Sequence, residues 1–317
     1  MTQEELNKVL ENHKHWLRRD CNGWENMRAS LVGENLDGLN LDGAILDYAI
    51  LNKSSLEDAS LKKASLNRAS LNYACLKGAS LDGASLNYAS LRYASLNYAS
   101  LNGASLKCAS SDYSSFKFAS LNRASLKSAS LKCALLDYAS LECALLDEAS
   151  LNCASLFCTS LNYASLRGTS LTSAFLDRVS LKETSFEGAN LDGVSFSVVS
   201  FEEVRKLPFV PFACPDTGSF IGWKKAGGKI IKLEIPADAK RCSAISKKCR
   251  CDKAKVLEIQ NLDGSISDIT EISSNYDKDF IYKVGEVVSV KDFCDDRWKE
   301  CSQGIHFFIN RQSAVEY

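Results

Sequence analysis

A five-residue period constrains the fold of this chain more than any other feature. The stretch ASLNYASLRYASLNYASLNGAS at residues 84–105 repeats Ala-Ser-Leu followed by two variable residues. Counted in steps of five from Leu31 to Phe201 there are 35 units, and 30 of their central residues are leucine. Ala lies two residues before the centre in 25 units, and Ser lies one before it in 26. Because a period of five fits neither an α-helix nor a plain β-strand, it predicts a solenoid of stacked units.

Each position of the unit predicts a different environment. Leu and Ala recur with little drift, so we expect both to point into a narrow, packed interior. The Ser hydroxyl can bond nearby backbone, so we expect it to stabilise a turn within its own unit. The two variable positions should then face water.

These units resemble the pentapeptide-repeat family, whose motif is A-(D/N)-L-x-x. The resemblance extends from Ala29 to about Glu203, with Ser where the family usually has Asp or Asn. It implies a right-handed quadrilateral β-helix with four units, or twenty residues, per coil. The spacing of aromatic residues at the variable positions does not by itself choose between 20 and 25 residues per coil. Some members of the family bind bacterial type II topoisomerases and are thought to imitate duplex DNA.

The open end of a solenoid exposes apolar surface and therefore needs a cap. We expect residues 1–28 to form a helical cap on the first coil. Thr2 and Glu5 form a capping-box pattern at a helix start. An apolar stripe follows at helical spacing, made of Leu6, Val9, Leu10, His13, Trp16 and Leu17. We expect structural or solvent-facing roles for His13 and His15 rather than metal binding.

The repeat ends at residues 204–216, where LPFVPFACP contains three of the four prolines and predicts a linker. Residues 217–317 predict a small α+β domain with strands at 220–223, 229–235, 255–260, 280–284, 286–290 and 304–309. A short helix should follow, with Asn310 as its N-cap. The segments GSFIGWKK and DRWKECSQGIHFF resemble an uncharacterised domain found attached to pentapeptide repeats. The fold class expected is therefore mainly β.

Composition gives no sign of a nucleic-acid or membrane partner. Lys and Arg number 38 and Asp and Glu 39, for a net charge of −1. No apolar run approaches the roughly 18 residues of a membrane-spanning helix. The charged N-terminal segment MTQEELNKVLENHKHW predicts no signal peptide, and the 13 cysteines are odd in number. We therefore expect free thiols and a cytoplasmic location.

The sequence contains no GxSxG, GxxxxGK(S/T), HExxH or GxGxxG motif in a suitable context. We therefore expect neither an enzyme nor a bound cofactor. An alternative that stays open is a metal-binding or enzymatic C-terminal domain, with Cys249, Cys251, Cys301 and His306 as candidate zinc ligands. Their spacings do not match the usual CxxC pairs of zinc sites, so buried thiols are the expected interpretation.

Charge alternates along the repeat. Residues 34–58 carry a net −5, residues 61–133 a net +8 and residues 137–203 a net −7. A protein that imitates DNA should be acidic along its length, so this basic central segment disfavours that alternative.

Aromatic residues recur in the basic central segment. With twenty residues per coil, they form two columns, Tyr73, Tyr93 and Tyr113 in one, and Tyr98, Phe118 and Tyr138 in the other. These rings, with Arg92 and Lys117 beside them, predict a surface for a macromolecular partner, expected to be a protein. A single-stranded nucleic acid is the other partner considered, and the rings could instead only stabilise neighbouring strands. The predicted function is a non-enzymatic, monomeric scaffold, with topoisomerase modulation as an alternative.

Overall fold

The computed structural model describes residues 1–196, 199, 201, 203–207, 213–243, 247–297 and 302–317. The chain divides into two compact units, Met1–Phe209 and Val210–Tyr317. The first contains the N-terminal helix and the repeat, and the second contains a β-rich domain. No helix in the described part of the chain is both long enough and apolar enough to cross a membrane.

Helix α1, Gln3–Arg18, covers the start of the repeat. The predicted capping box is confirmed, because the Thr2 side chain accepts from the Glu5 N–H and the Glu5 carboxylate accepts from the Thr2 N–H. His13 is buried, and its Nε2 lies 3.0 Å from the Asp47 carbonyl oxygen. Its Nδ1 accepts the N–H of Ala29 at 3.1 Å. The expected structural role of this histidine is therefore confirmed: it joins the helix to the first coils.

The repeat forms coils of twenty residues. Parallel bridges join residues twenty apart, from Ser30 with Ile50 to Phe175 with Ser195. Four pentapeptide units therefore complete each coil, and the alternative of 25 residues is wrong. The structure is thus a mainly β-type solenoid, and among the described residues Ser185 pairs with Lys206 at a step of 21.

Each unit makes one tight turn that places its side chains. The Ala N–H bonds the Leu carbonyl three residues earlier, as Ala94 does with Leu91 at 3.0 Å. The second variable residue adopts a left-handed backbone, with φ of 60° at Tyr93 and 63° at Tyr98. The central Leu residues point inward and are buried, as predicted, and so is the Ala two residues before the centre, except for the half-buried Ala44.

The serines that directly precede the central residue bond the previous coil rather than a turn of their own unit, whereas Ser54 and Ser114, at the Ala position, do donate to the carbonyl oxygen three residues earlier. The Ser90 Oγ donates to the Asn72 Oδ1 at 2.6 Å, and the Arg92 N–H donates to the same oxygen at 3.0 Å. The described residues contain 17 such pairs, each joining a Ser to an Asn or Asp eighteen residues earlier. The predicted local role of Ser is therefore wrong, since its hydroxyl connects successive coils. The prediction that both variable positions only face water is also wrong for the first of them, because its Asn or Asp side chain accepts the hydrogen bonds from the next coil.

The C-terminal unit is built on a seven-stranded antiparallel sheet of order β3-β4-β9-β1-β2-β5-β8, beside a two-stranded sheet of β6 and β7. Its strands are β1 Phe220–Ala226, β2 Lys229–Ile235, β3 Arg241–Ser243, β4 Lys248–Cys251, β5 Lys253–Gln260, β6 Glu271–Ser273, β7 Ile281–Lys283, β8 Val287–Ser289 and β9 Ile305–Phe308. Helix α2, Arg311–Glu316, follows with Asn310 as its N-cap, as predicted.

Three strands of this unit were not predicted: β3, β4 and β6. Each has three or four residues, too few to show an alternating pattern. The core is formed mainly by β2, β5 and β9, with Ile231, Leu233, Val256 and Phe307 fully buried.

Candidate binding surface on the repeat

The first predicted aromatic column is a continuous stack. The ring centroids of Tyr73 and Tyr93 lie 4.9 Å apart with an interplanar angle of 6°. Those of Tyr93 and Tyr113 lie 5.0 Å apart at 7°. The three residues hold the same position in successive coils, and neighbouring β-strands lie about 4.8 Å apart. The backbone repeat therefore sets the ring spacing directly.

The second column is longer than the sequence predicted. Tyr98 and Phe118 stack at 5.0 Å and 3°, and Phe118 and Tyr138 stack at 4.8 Å and 2°. Beyond them, Phe157 contacts Tyr138 edge-on at 5.5 Å, and the Arg178 guanidinium lies 5.8 Å from the Phe157 ring centroid. Sequence analysis missed Phe157 because it occupies the first variable position of its unit, one residue out of register with the column.

The rings of both columns are about half exposed, but mostly at their edges. Tyr93 and Phe118, the middle rings, retain exposures of 45% and 47%. Each middle ring is covered on both faces by its stacked neighbours. The columns therefore present a ridge of ring edges to solvent.

A third column mixes aromatic rings with arginine and was not predicted. The Arg68 guanidinium lies 5.5 Å from the Tyr48 ring centroid and 5.4 Å from that of Tyr88. Its Nη1 also donates to the Tyr48 hydroxyl at 3.2 Å. Trp16 of helix α1 contacts Tyr48 edge-on at 6.3 Å. The signal in the sequence is a Tyr-Arg-Tyr series at a spacing of twenty, which a search for aromatic pairs alone does not find.

Acidic partners in the next coil reduce the charge of the basic central segment. The Lys117 Nζ lies 3.2 Å from the Asp137 Oδ2, and the Lys127 Nζ lies 3.2 Å from the Asp147 Oδ2. Arg92 is placed beside the first column, and its backbone N–H bonds the Asn72 side chain. Of the two cations proposed for the surface, Lys117 is thus engaged in an ion pair within the repeat.

The candidate zinc ligands do not form one cluster. Cys249 and Cys251 are buried on β4, whereas His306 lies on β9 opposite Arg250. Because side chains alternate along a strand, the two thiols lie on one face and Arg250 and His306 on the other. Cys301 lies outside the described residues.

The two thiols on β4 are held in the neutral form. A hydrogen bond with the Cys214 thiol, together with burial, raises the pKa of Cys249, and burial raises the pKa of Cys251. Both therefore pack as small apolar side chains. Within the described ranges, the group of three close metal-ligand candidates is elsewhere, at His15, Asp20 and Cys21 beside the end of α1.

Two family models match the chain in separate regions. The model described as Pentapeptide repeats (8 copies) matches residues 49–87, 84–110 and 159–197. The model described as Family of unknown function (DUF5758) matches residues 210–314. No curated protein is significantly similar to the chain in sequence.

Solved structures of pentapeptide repeat proteins are similar to part of the chain. A trypsin-treated form of QnrB1, a plasmid-mediated fluoroquinolone resistance protein, has 17% identity and a TM-score of 0.50, over 54% of this chain and 87% of that chain. HetL, involved in heterocyst differentiation regulation in the cyanobacterium Nostoc, has 27% identity and a TM-score of 0.26, over 56% and 90%. A protein of the Arabidopsis thaliana thylakoid lumen has 32% identity and a TM-score of 0.29, over 30% and 66%.

The likeness to QnrB1 concerns the fold alone at this level of identity. The pentapeptide-repeat model matches residues within the twenty-residue coils. The second model matches residues of the C-terminal unit. The chain therefore contains pentapeptide repeats and, after them, a domain that matches a family of unknown function.

Proposed function

We propose that the repeat is a non-enzymatic scaffold whose two stacked aromatic columns bind a protein partner. The proposal rests on the exposure of about half of each middle ring within a continuous aromatic stack. Aromatic residues are enriched in protein interfaces, where they supply large contact area at a low cost in side-chain entropy.

We also propose a division of the chain into four segments. It comprises a cap at 1–28, a right-handed quadrilateral β-helix at 29–203, a linker at 204–216 and an accessory domain at 217–317. Four-unit coils support the quadrilateral form.

The stacking geometry favours a protein over a single-stranded nucleic acid. Nucleobases bind aromatic side chains face to face. A base inserted between two rings would need about 7 Å, since carbon atoms in contact lie about 3.5 Å apart. The rings of both columns are 4.8 to 5.0 Å apart, so Tyr93 and Phe118 have no open face to offer. Ring edges and phenol groups fit the side chains and backbone of a folded partner better.

Glycine substitution tests the first column without straining the backbone. Its residues have φ near +60°, which glycine adopts more readily than any other residue, and Gly103 already occupies the equivalent position of the coil that contains Tyr93. The variant Y73G/Y93G/Y113G should therefore remain folded while losing the exposed rings. Tyr163→Gly is the matched control, since Tyr163 has the same backbone conformation and half exposure but lies outside both columns.

The measurement is quantitative affinity capture from native lysate, followed by binding of the recovered protein in purified form. We expect the triple variant to lose a partner that the wild-type protein and the Tyr163→Gly control both retain. If a triple variant with an unchanged circular dichroism spectrum retains the same partner at the same affinity, the rings only stabilise the coil and the proposal is wrong.

Topoisomerase modulation remains the second candidate, on the family resemblance and the fold shared with QnrB1. The alternation of acidic, basic and acidic segments argues against imitation of DNA along the whole repeat. A gyrase supercoiling assay decides this point: inhibition or drug protection at micromolar protein would favour the second candidate over the first.

A further inference from the structure

The C-terminal unit contains an open cavity of about 740 Å³. This volume lies within the range of about 300–1,000 Å³ that is typical of small-molecule sites. The residues around it include Lys224, Lys248, Phe280, Tyr282, His306 and Tyr317. The cavity is independent of the aromatic columns, since all of its lining belongs to the second unit.

The sheet topology explains why an opening exists at this place. Strands β1 and β9 are neighbours in the sheet, yet they pair at a single position, Trp223 with Phe308. Lys224 follows directly after this pair, where the two strands separate. Its Nζ reaches the carbonyl oxygen of His306 at 3.4 Å, a long contact across the separation.

Lys224 is a buried cation that makes no ion pair with the described residues. Its exposure is 8%, and its ammonium lies 5.6 Å from the Tyr282 ring centroid. Among the described residues, no carboxylate lies within 4.0 Å of the Nζ. A buried charge is costly unless it is paired. Burial and the nearby Lys248 lower the pKa of Lys224 to about 8, so the group is still mainly charged at neutral pH.

The rest of the lining is cationic on balance and partly apolar. Lys225, Lys248 and Lys291 also line the cavity, against two acids, Asp277 and Asp292. The aromatic part of the wall is formed by Phe280, Tyr282, Phe308 and Tyr317. A ligand that fits both features has a negative group for the lysines and an apolar body for the rings.

We propose that this cavity binds a small organic anion, with an aromatic or other apolar body and one carboxylate or phosphate group, and that Lys224 is its counterion. The ligand's acidic oxygens replace the water that the ammonium loses on burial, and the rings of the wall contact the apolar body. Carboxylates and phosphates share this chemistry, so the test compares them directly.

The test is isothermal titration calorimetry on the full chain with four probes: benzoate, phenyl phosphate, inorganic phosphate and benzyl alcohol. We expect benzoate or phenyl phosphate to bind, and the tighter of the two identifies the acidic group. Benzyl alcohol has the same ring without the charge and should not bind. Equal binding of inorganic phosphate and phenyl phosphate would overturn the role of the apolar wall.

Lys224→Met is the decisive variant, because Met keeps the apolar stem and removes the charge. It should retain the fold and bind the preferred probe at least tenfold more weakly. Lys255→Met is the matched control, since Lys255 is an exposed lysine on β5 outside the cavity lining, and it should leave the affinity unchanged. The proposal is overturned if none of the anions binds in the millimolar range or tighter, or if Lys224→Met binds as tightly as the wild-type protein.

Discussion

At the scale of single residues, the repeat depends on a pairing rule that joins each coil to the next. A Ser bonds the residue eighteen positions earlier when that residue is Asn or Asp. The hydroxyls of Ser125 and Ser150 are buried without a partner among the described residues, and the residues eighteen positions before them are Lys107 and Lys132. At three other places the first variable residue is neither Asn nor Asp, and an apolar residue replaces the Ser eighteen positions later. These pairs are Lys117 with Leu135, Lys127 with Leu145 and Phe157 with Phe175.

The pairing rule predicts a stabilising substitution, Lys107→Asn. The new side chain would give the Ser125 hydroxyl and the Lys127 N–H an acceptor, as Asn87 gives Ser105 and Lys107 one coil earlier. Satisfying a buried hydroxyl should raise the free energy of unfolding by about 1 kcal/mol. Chemical denaturation followed by circular dichroism measures the change.

The opposite change in the same column, Asn87→Ala, is the matched comparison. It removes the acceptor of two bonds and the donor of a third, to the Ser85 hydroxyl. The free energy of unfolding should fall by about 1–3 kcal/mol. If both substitutions change stability by less than about 0.3 kcal/mol, the side-chain ladder does not contribute to stability.

At the scale of elements, helix α1 is joined to the coils through one neutral imidazole. His13 uses both ring nitrogens in the fold, the Nε2–H to the Asp47 carbonyl and the Nδ1 as acceptor for Ala29. Protonation would destroy the second bond, because an imidazolium has no acceptor. Burial lowers the pKa of His13 below its ordinary value of 6.5.

This depressed pKa makes the stability of the capped repeat depend on pH. Below pH 6.5 the unfolded chain binds a proton at residue 13 that the folded chain resists, so the free energy of unfolding should fall as the pH drops. His13→Gln should lack this component below pH 6.5, whereas His15→Gln, on the same helix but partly exposed, should keep it. Equal pH profiles for His13→Gln and the wild-type protein in denaturation experiments would contradict this assignment.

Lys224 on strand β1 gives the C-terminal unit a dependence on pH in the alkaline range. Its ordinary pKa is 10.5 and its folded pKa is about 8, so between these values the unfolded chain binds more protons. The free energy of unfolding should therefore rise from pH 8 to 10.5, by an amount on the order of a few kcal/mol. Two neighbouring groups also affect the profile, because burial raises the pKa of the Cys251 thiol and of the Tyr282 phenol, and these shifts act in the opposite direction above pH 9 and pH 10 respectively.

Comparison with Lys224→Met isolates the lysine from these neighbours. The difference in unfolding free energy between the wild-type protein and this variant should grow in favour of the wild-type protein between pH 8 and 10.5. A difference that stays constant over this range in urea denaturation would show that the charge is not buried.

At the scale of the whole molecule, the chain contains two cores of different construction. The repeat buries Leu and Ala in every coil, and the second unit buries a mixed core of aliphatic and aromatic residues on its large sheet. Substitutions without shared neighbours usually have additive effects on stability. We therefore expect Lys107→Asn to alter only the thermal transition of the repeat and Lys224→Met only that of the C-terminal unit, as measured by calorimetry.

Much of the repeat follows from the sequence by itself. A five-residue period with Leu in 30 and Ala in 25 of the 35 units predicts a buried stack, because a solenoid buries the same two positions of successive units. The same sequence also contains the pairing rule, since every Asn or Asp at the first variable position from Asp37 to Asp177 is followed eighteen residues later by Ser. The capping box of α1 and the N-cap of α2 could also be predicted from the sequence, because both depend on residues close together in the chain.

The tertiary structure decided the features that depend on long-range spacing. Twenty residues per coil could not be chosen from the aromatic spacing, since backbone bonds between coils set that number. The cavity beside Lys224 arises where β1 and β9 separate, and these strands are about 80 residues apart in the chain. No local pattern marks Lys224 as buried, because the next residue, Lys225, is also a lysine and the sequence does not show which face of the strand will be covered. Burial of that charge depends on which strands become neighbours, and only the folded chain determines this.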